Sequence, residues 1–261
     1  MKITKLLLAW LWLLAGPAAA QDLSRYQREM FTAGADSLPY RILYPENFNP
    51  RERYPLVLFL HGRGESGRDN EKQLTHGAAL FLKDTLRANY PAIVVFPQCP
   101  ADSYWANVHI QADETGKRTF QFVKGGEPTK AMRALLGLTE ALTQMPYVDK
   151  DRIYVGGLSM GGMGTYELLR RKPKLFAAAF AICGGDHVAN VKKYRHIPLW
   201  VFHGAQDDLV PPAFSAAVVQ ALRKKRARVN FTLYPTANHN SWDAALAEPA
   251  LLPWLFIHSK Q

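Results

Sequence analysis

The fold is decided by Arg152-Ile153-Tyr154-Val155-Gly156-Gly157-Leu158-Ser159-Met160-Gly161-Gly162-Met163-Gly164. Its opening residues form an apolar run of the kind found in strands buried on both faces of a parallel sheet. From Gly164 to Lys172, before Pro173, the residues suit a helix. Between the two lies a Gly-x-Ser-x-Gly segment, Gly157 to Gly161. A serine on so sharp a strand-to-helix turn is held in strained backbone geometry, and side chains beside it would collide, which is the physical use of the flanking glycines. A lone Gly-x-Ser-x-Gly is common by chance. The strand before it and the helix after it make Ser159 a candidate nucleophile.

Outward from this turn the same alternation continues. Leu56–Leu60, Ala92–Phe96, Ala177–Ile182 and Pro198–Phe202 are further continuous apolar runs, Leu38–Tyr44 reads as an earlier strand, and Val229, Phe231 and Leu233 alternate with polar neighbours in a last one. Helices are predicted over 128–145, 164–172 and 212–226, the last from the spacing of Phe214, Ala217, Val218, Ala221 and Leu222. Strand and helix in turn predict an α/β fold, a mostly parallel sheet with helices on both faces. No repeat or low-complexity linker divides the chain, so residues 21–261 are expected to form one domain.

Lys2 and Lys5 precede an apolar run, Leu6 to Ala15, that Gly16-Pro17 breaks before the small residues Ala18-Ala19-Ala20. This pattern predicts a secretory signal peptide over 1–20 and a secreted or periplasmic mature protein. The run is too short to span a bilayer, so no stable membrane insertion is expected after cleavage. A composition of 48% hydrophobic and 21% charged residues excludes disorder and a polytopic membrane protein. The net charge is +10, and +8 without the two leader lysines. Its densest run, Arg223 to Arg226, sits where a helix ends and complements the helix dipole, with no aromatic interleaving for base stacking, so nucleic acid is not expected as a partner.

In open α/β sheets, ligands bind beyond the carboxyl ends of the strands. There the chain carries His203-Gly204-Ala205-Gln206-Asp207-Asp208 after one strand and Asn238-His239 after the last. A serine hydroxyl needs a histidine to take its proton, and that histidine needs a carboxylate to fix its tautomer. Ser159, an aspartate and His239 thus follow in order, each at its own strand end. Asp207 heads the candidates for the acid, with Asp208, Asp186 and Asp243 as competitors. His61 and His203 each precede a glycine at a strand end and are read as shaping loops. No metal-ligand motif is read among the remaining histidines and no Cys-x-x-Cys is present, so neither metal nor cofactor is expected.

The chain resembles the α/β-hydrolase superfamily from about Tyr40 to its end, through Phe59-Leu60-His61-Gly62-Arg63-Gly64-Glu65-Ser66-Gly67, Pro97-Gln98-Cys99-Pro100 with Trp105, Gly157 to Gly162, and Ile182-Cys183-Gly184-Gly185-Asp186. These phrases are similar to the secreted phospholipase/carboxylesterase-like branch, often labelled "predicted peptidase", near the feruloyl and acetylxylan esterases. The resemblance implies ester hydrolysis through an acyl-enzyme, with Ser159, Asp207 and His239 as triad and the backbone N–H groups of Met160 and Arg63 as oxyanion donors. Many relatives carry a small residue at the Arg63 position, which puts an arginine at the mouth of the site. In the strand order usual for this fold, Cys99 and Cys183 are separated by two strands, roughly 14 Å, too far for a disulfide. Two free, buried thiols are expected.

The segment Ser103 to Glu127, with Tyr104, Trp105, Phe120 and Phe122, is expected to wall the pocket or to pack as core, and Trp105 and Trp242 are the substrate-binding candidates. No long apolar lid or interfacial amphipathic helix is apparent, so the expected partner is a short-chain or aromatic ester, free or attached to a polysaccharide. Two rivals stand beside it: a serine peptidase using the same triad, and a non-catalytic, carbohydrate-associated binding module.

Overall fold

A computed structural model describes residues 22–34 and 36–260. The expected signal peptide, 1–20, lies outside the described residues. In chain order the strands are β1 (Gln27–Ala33), β2 (Asp36–Leu43), β3 (Tyr54–Leu60), β4 (Ile93–Pro97), β5 (Val108–Ala112), β6 (Arg118–Phe122), β7 (Val148–Leu158), β8 (Ala178–Ile182), β9 (Leu199–Gly204) and β10 (Val229–Tyr234). The helices are α1 (Ala78–Phe81), α2 (Asp84–Asn89), α3 (Lys130–Thr143), α4 (Met160–Arg171), α5 (Val191–Tyr194), α6 (Ala213–Lys224), α7 (Trp242–Leu246) and α8 (Leu251–Phe256). Eight strands form one sheet in the order β1-β2-β4-β3-β7-β8-β9-β10. β1 and β2 run antiparallel to each other, β2 runs antiparallel to β4, and every later pairing is parallel.

The apolar runs make this sheet because both of its faces are covered. All residues of β3, β4 and β8 are buried. With side chains pointing to alternate faces, Leu56, Leu58 and Leu60 of β3 pack with α3, α4 and α6 through Leu135, Leu168 and Val218, while Val57 and Phe59 pack on the other face with Phe81, Ala245 and Leu255. The predicted α3 and α6 are shorter by a few residues at their ends, and α4 starts directly after Ser159 instead of at Gly164. β1 was not anticipated: six of its seven residues are exposed, and an edge strand of that kind carries no apolar pattern to read.

Between β4 and α3 the chain forms a separate two-stranded hairpin, β5–β6, within the segment Ser103 to Glu127. Cys99, after β4, and Cys183, after β8, are free and buried, with β3 and β7 between their strands. Among the described residues no helix is long and apolar enough to cross a membrane.

Candidate functional site

β7 ends at Leu158 and α4 begins at Met160, leaving Ser159 alone on the turn with φ 53° and ψ −117°. That conformation is costly for a residue with a side chain. It is held from both sides: the Ser159 N–H donates to the Ile182 carbonyl (2.8 Å) and its carbonyl accepts from the Met163 N–H (3.0 Å). The turn also needs glycine at Gly161, where a Cβ would lie 1.9 Å from the Leu60 carbonyl oxygen, and at Gly157, where it would lie 2.6 Å from the Gly161 and Leu60 carbonyl oxygens. The close approach of β3 to α4 is what puts the loop after β3 beside the serine.

Ser159 Oγ lies 3.0 Å from His239 Nε2, and His239 Nδ1 lies 2.8 Å from Asp207 Oδ2. Asp207 is buried. Its Oδ1 accepts from the Leu209 and Val210 N–H groups (3.0 and 2.8 Å), while Oδ2 faces both His239 and His203 Nε2, the latter at 3.1 Å. Burial opposes ionisation of this carboxyl, but the hydrogen bonds from His203, His239 and the Val210 N–H outweigh it and hold Asp207 well below the usual carboxylate range. With Asp207 as acceptor, His239 Nδ1 carries the proton and Nε2 is left to accept from Ser159.

His203 Nε2 faces two acceptors, Asp207 Oδ2 and the Val210 carbonyl (2.9 Å), so that nitrogen is the protonated one. Its Nδ1 lies 2.7 Å from Ser215 Oγ, which reaches the Gly184 carbonyl. None of the three competing acids bonds His239. Asp208 is exposed, with its N–H on Asn238 Oδ1. Asp243 accepts from Asn240, and Asp186 accepts from Asn190, Tyr194 and the His187 N–H.

Arg63 and Met160 are the first residues of a 3-10 turn and of α4, so their N–H groups have no intrahelical partner. The Gly62 backbone is so close that a Cβ there would lie 3.6 Å from Ser159 Cβ. The loop is pinned by buried His61, whose Nδ1 donates to the Gly62 carbonyl (2.6 Å) and whose Nε2 accepts from the Cys99 N–H (2.9 Å). Burial pushes the His61 imidazole down to about 4. The Arg63 side chain turns to the segment after β4, donating to the Ser103 and Ala101 carbonyls (2.7 and 2.6 Å) and lying over the Tyr104 ring.

A cavity of about 330 Å³ opens over Ser159 and His239. Arg63, Glu65, His76, Tyr104, Arg118, Phe120 and Trp242 are among the residues that line it. Of the two substrate-binding candidates, Trp242 lines the cavity. Trp105 is a correction: it is fully buried, packed under His61 and against Gly164, and does not line the cavity. One residue earlier, Tyr104 takes the lining position. Glu65 and His76 were missed. Glu65 stands two residues beyond Arg63 in the same loop, a spacing that could have flagged it, whereas His76 is brought in by tertiary packing alone.

Among the described residues, the group that gathers three metal-ligand atoms is Cys183, Asp207 and His239, all within 4.8 Å of one another. Burial pushes the Cys183 thiol well above its usual range, and Asp207 Oδ2 already accepts from two imidazoles. These donors suit a proton relay better than a cation, and the chain offers no second such cluster among the described residues.

Similar proteins carry this architecture. A bifunctional acetylxylan esterase/xylanase from Neocallimastix patriciarum is 28% identical over 191 residues, 73% of this chain and 24% of that one. Mouse lysophospholipase-like protein 1 is 27% identical over 70% of this chain and 79% of its own length. A solved thermostable esterase is 33% identical with TM-score 0.80, over 90% of this chain and 64% of that one. A ferulic acid esterase at 17% identity, TM-score 0.66, covering 88% and 97%, shares the fold. The chain thus spans about a quarter of the acetylxylan esterase/xylanase and under two thirds of the thermostable esterase. Residues 49–248, which hold the strained Ser159 turn, the His239–Asp207 pair and the loop after β3, match the phospholipase/carboxylesterase family, and the chain belongs to that family of the α/β-hydrolase fold.

Proposed function

We propose that this protein hydrolyses carboxylic esters through an acyl-enzyme on Ser159. The observation that carries the reading is the unbroken relay Ser159 Oγ, His239, Asp207, at 3.0 and 2.8 Å, opening into the cavity. Ser159 Oγ attacks the ester carbonyl as its proton passes to His239 Nε2. The carbonyl oxygen becomes an oxyanion facing the N–H groups of Met160 and Arg63, which sit at the positive end of α4 and of the turn after β3. Collapse of the tetrahedral adduct breaks the bond to the alcohol, which leaves with the proton from His239. Water, deprotonated by the same nitrogen, then releases the acid and restores Ser159. Asp207 stays ionised throughout and stabilises the imidazolium.

The substrate in this reading is a short-chain or aromatic acyl ester, including one carried by a polysaccharide, met outside the cytoplasm after loss of residues 1–20. The cavity volume and its aromatic wall support small or planar acyl groups, and the acetylxylan esterase/xylanase likeness supports a carbohydrate-linked one. Turnover of p-nitrophenyl acetate by the wild type and its loss in Ser159→Ala is the expected result. Unchanged turnover in Ser159→Ala would sink the reading. An anilide substrate run beside it tests the peptidase alternative, and preference for the anilide would replace ester by amide hydrolysis.

A further inference from the structure

We infer that Glu65, His76 and Trp242 form a subsite for the alcohol half of the substrate, and that this alcohol is polyhydroxylated, as a sugar ring is. The inference rests on the ester-hydrolase reading and goes beyond it by assigning residues to the leaving group. Three rings stand in a row: His239 is edge-on to Trp242 with centroids 5.3 Å apart, and Trp242 is followed by His76 at 5.1 Å. His239 Nε2 is the atom that hands its proton to the departing oxygen, so the row leads away from the reacting centre on the leaving-group side. Arg63, Tyr104 and Phe120 also line the cavity, and the acyl group is assigned to them.

At the far end of the row, His76 Nε2 lies 3.8 Å from Glu65 Oε1, within reach as an ion pair and too far for a hydrogen bond. His76 makes no hydrogen bond among the described residues, and its side chain is 30% exposed against 13% for Glu65. Glu65 Oε2 is buried with no partner, close to where a Gly62 Cβ would be. A carboxyl placed so is not there to tie the loop together. Side by side in the cavity wall, the His76 imidazole N–H and Glu65 Oε1 offer one donor and one acceptor at a separation that a single hydroxyl bridges, donating to Glu65 and accepting from His76. Trp242 beside them supplies a flat apolar face against which the C–H side of a ring can pack. The donor and acceptor are matched to a hydroxyl, which a sugar ring presents and a plain alkyl or nitrophenyl leaving group does not, whereas the Trp242 face packs against either ring.

The test compares wild type, Glu65→Leu, His76→Phe and His76→Gln on two acetyl esters, an acetylated methyl xyloside and p-nitrophenyl acetate. Losing one hydrogen bond of this kind should lower kcat/KM on the xyloside roughly tenfold or more in Glu65→Leu and His76→Phe, mainly through KM. On p-nitrophenyl acetate the change should stay below about threefold. His76→Gln, which keeps an N–H donor, should recover part of the xyloside rate. Inhibition of p-nitrophenyl acetate turnover by methyl xyloside should weaken in the same two variants. An equal fall on both esters, or no fall on the xyloside, overturns the subsite. Labelling of Ser159 by a fluorophosphonate is scored in parallel: if the wild type is not labelled the hydrolase reading itself fails, whereas a labelled enzyme without selective loss overturns the subsite alone.

Discussion

At the scale of single residues the account turns on Asp207, whose carboxyl collects two imidazoles and two backbone N–H groups. Removing it leaves His239 free to adopt the wrong tautomer, so Asp207→Ala should lower kcat about 10³- to 10⁴-fold while Asp208→Ala stays near wild type. Steady-state assays of the two variants check this, and a crippled Asp208→Ala with an active Asp207→Ala would move the acid by one residue. Asp186 predicts a different effect. Burial raises its carboxyl to about 6, against hydrogen bonds from Asn190, Tyr194 and the His187 N–H. A carboxyl that is harder to ionise when folded stabilises fully below its ordinary value near 4, and that contribution is lost as pH rises through about 6. Thermal melts should therefore show Asp186→Asn gaining on the wild type between pH 4 and pH 7, and a constant difference would contradict the assignment. Trp105 and Tyr104 mark where residue-level reading stopped. Both are aromatic in one segment, and only the packing of Trp105 under His61 decides which of the two faces the cavity.

Among the elements, the turn joining β7 to α4 and the loop after β3 are one unit, since the Leu60 carbonyl rests on Gly161. Gly161→Ala would set a Cβ 1.9 Å from that oxygen, so the variant should either fail to fold or fold with the oxyanion loop displaced. Activity loss together with a lowered melting temperature is expected; a wild-type melt and rate would refute the packing. His61 holds the same loop in its neutral form, its imidazole pushed down to about 4 by burial. A histidine held neutral contributes its full stability above its ordinary value near 6.5 and loses it as pH falls through about 4. The wild type should accordingly lose stability on acidification more steeply than His61→Gln, as measured by chemical denaturation at several pH values. These elements were legible because they are buried on both faces and spell continuous apolar runs bounded by glycine. β1 was not, being an exposed edge, nor were α1, α2, α7 and α8, which are too short to show a helical period.

For the whole molecule, the strand order does the organising: β7 lies beside β3, and β4, β9 and β10 run parallel to them in the same sheet, so the segments that follow five parallel strands, β3, β4, β7, β9 and β10, meet at one cavity. Residues far apart in sequence, Ser159, Asp207 and His239, were readable as a set because each follows its own strand and the sheet brings such ends together. Glu65 and His76 were not, because their approach to Trp242 depends on how the segment after β3 folds back, which no local pattern encodes. The central claim, an acyl group carried covalently by Ser159, is tested most directly by acid-quenching the enzyme during turnover of p-nitrophenyl acetate and mapping the peptides by mass spectrometry. The account predicts one acetyl group per chain, on Ser159, absent in Ser159→Ala and accumulating in His239→Ala no faster than background. An acetyl group on another residue, or full turnover with Ser159 unmodified at every quench time, would contradict it.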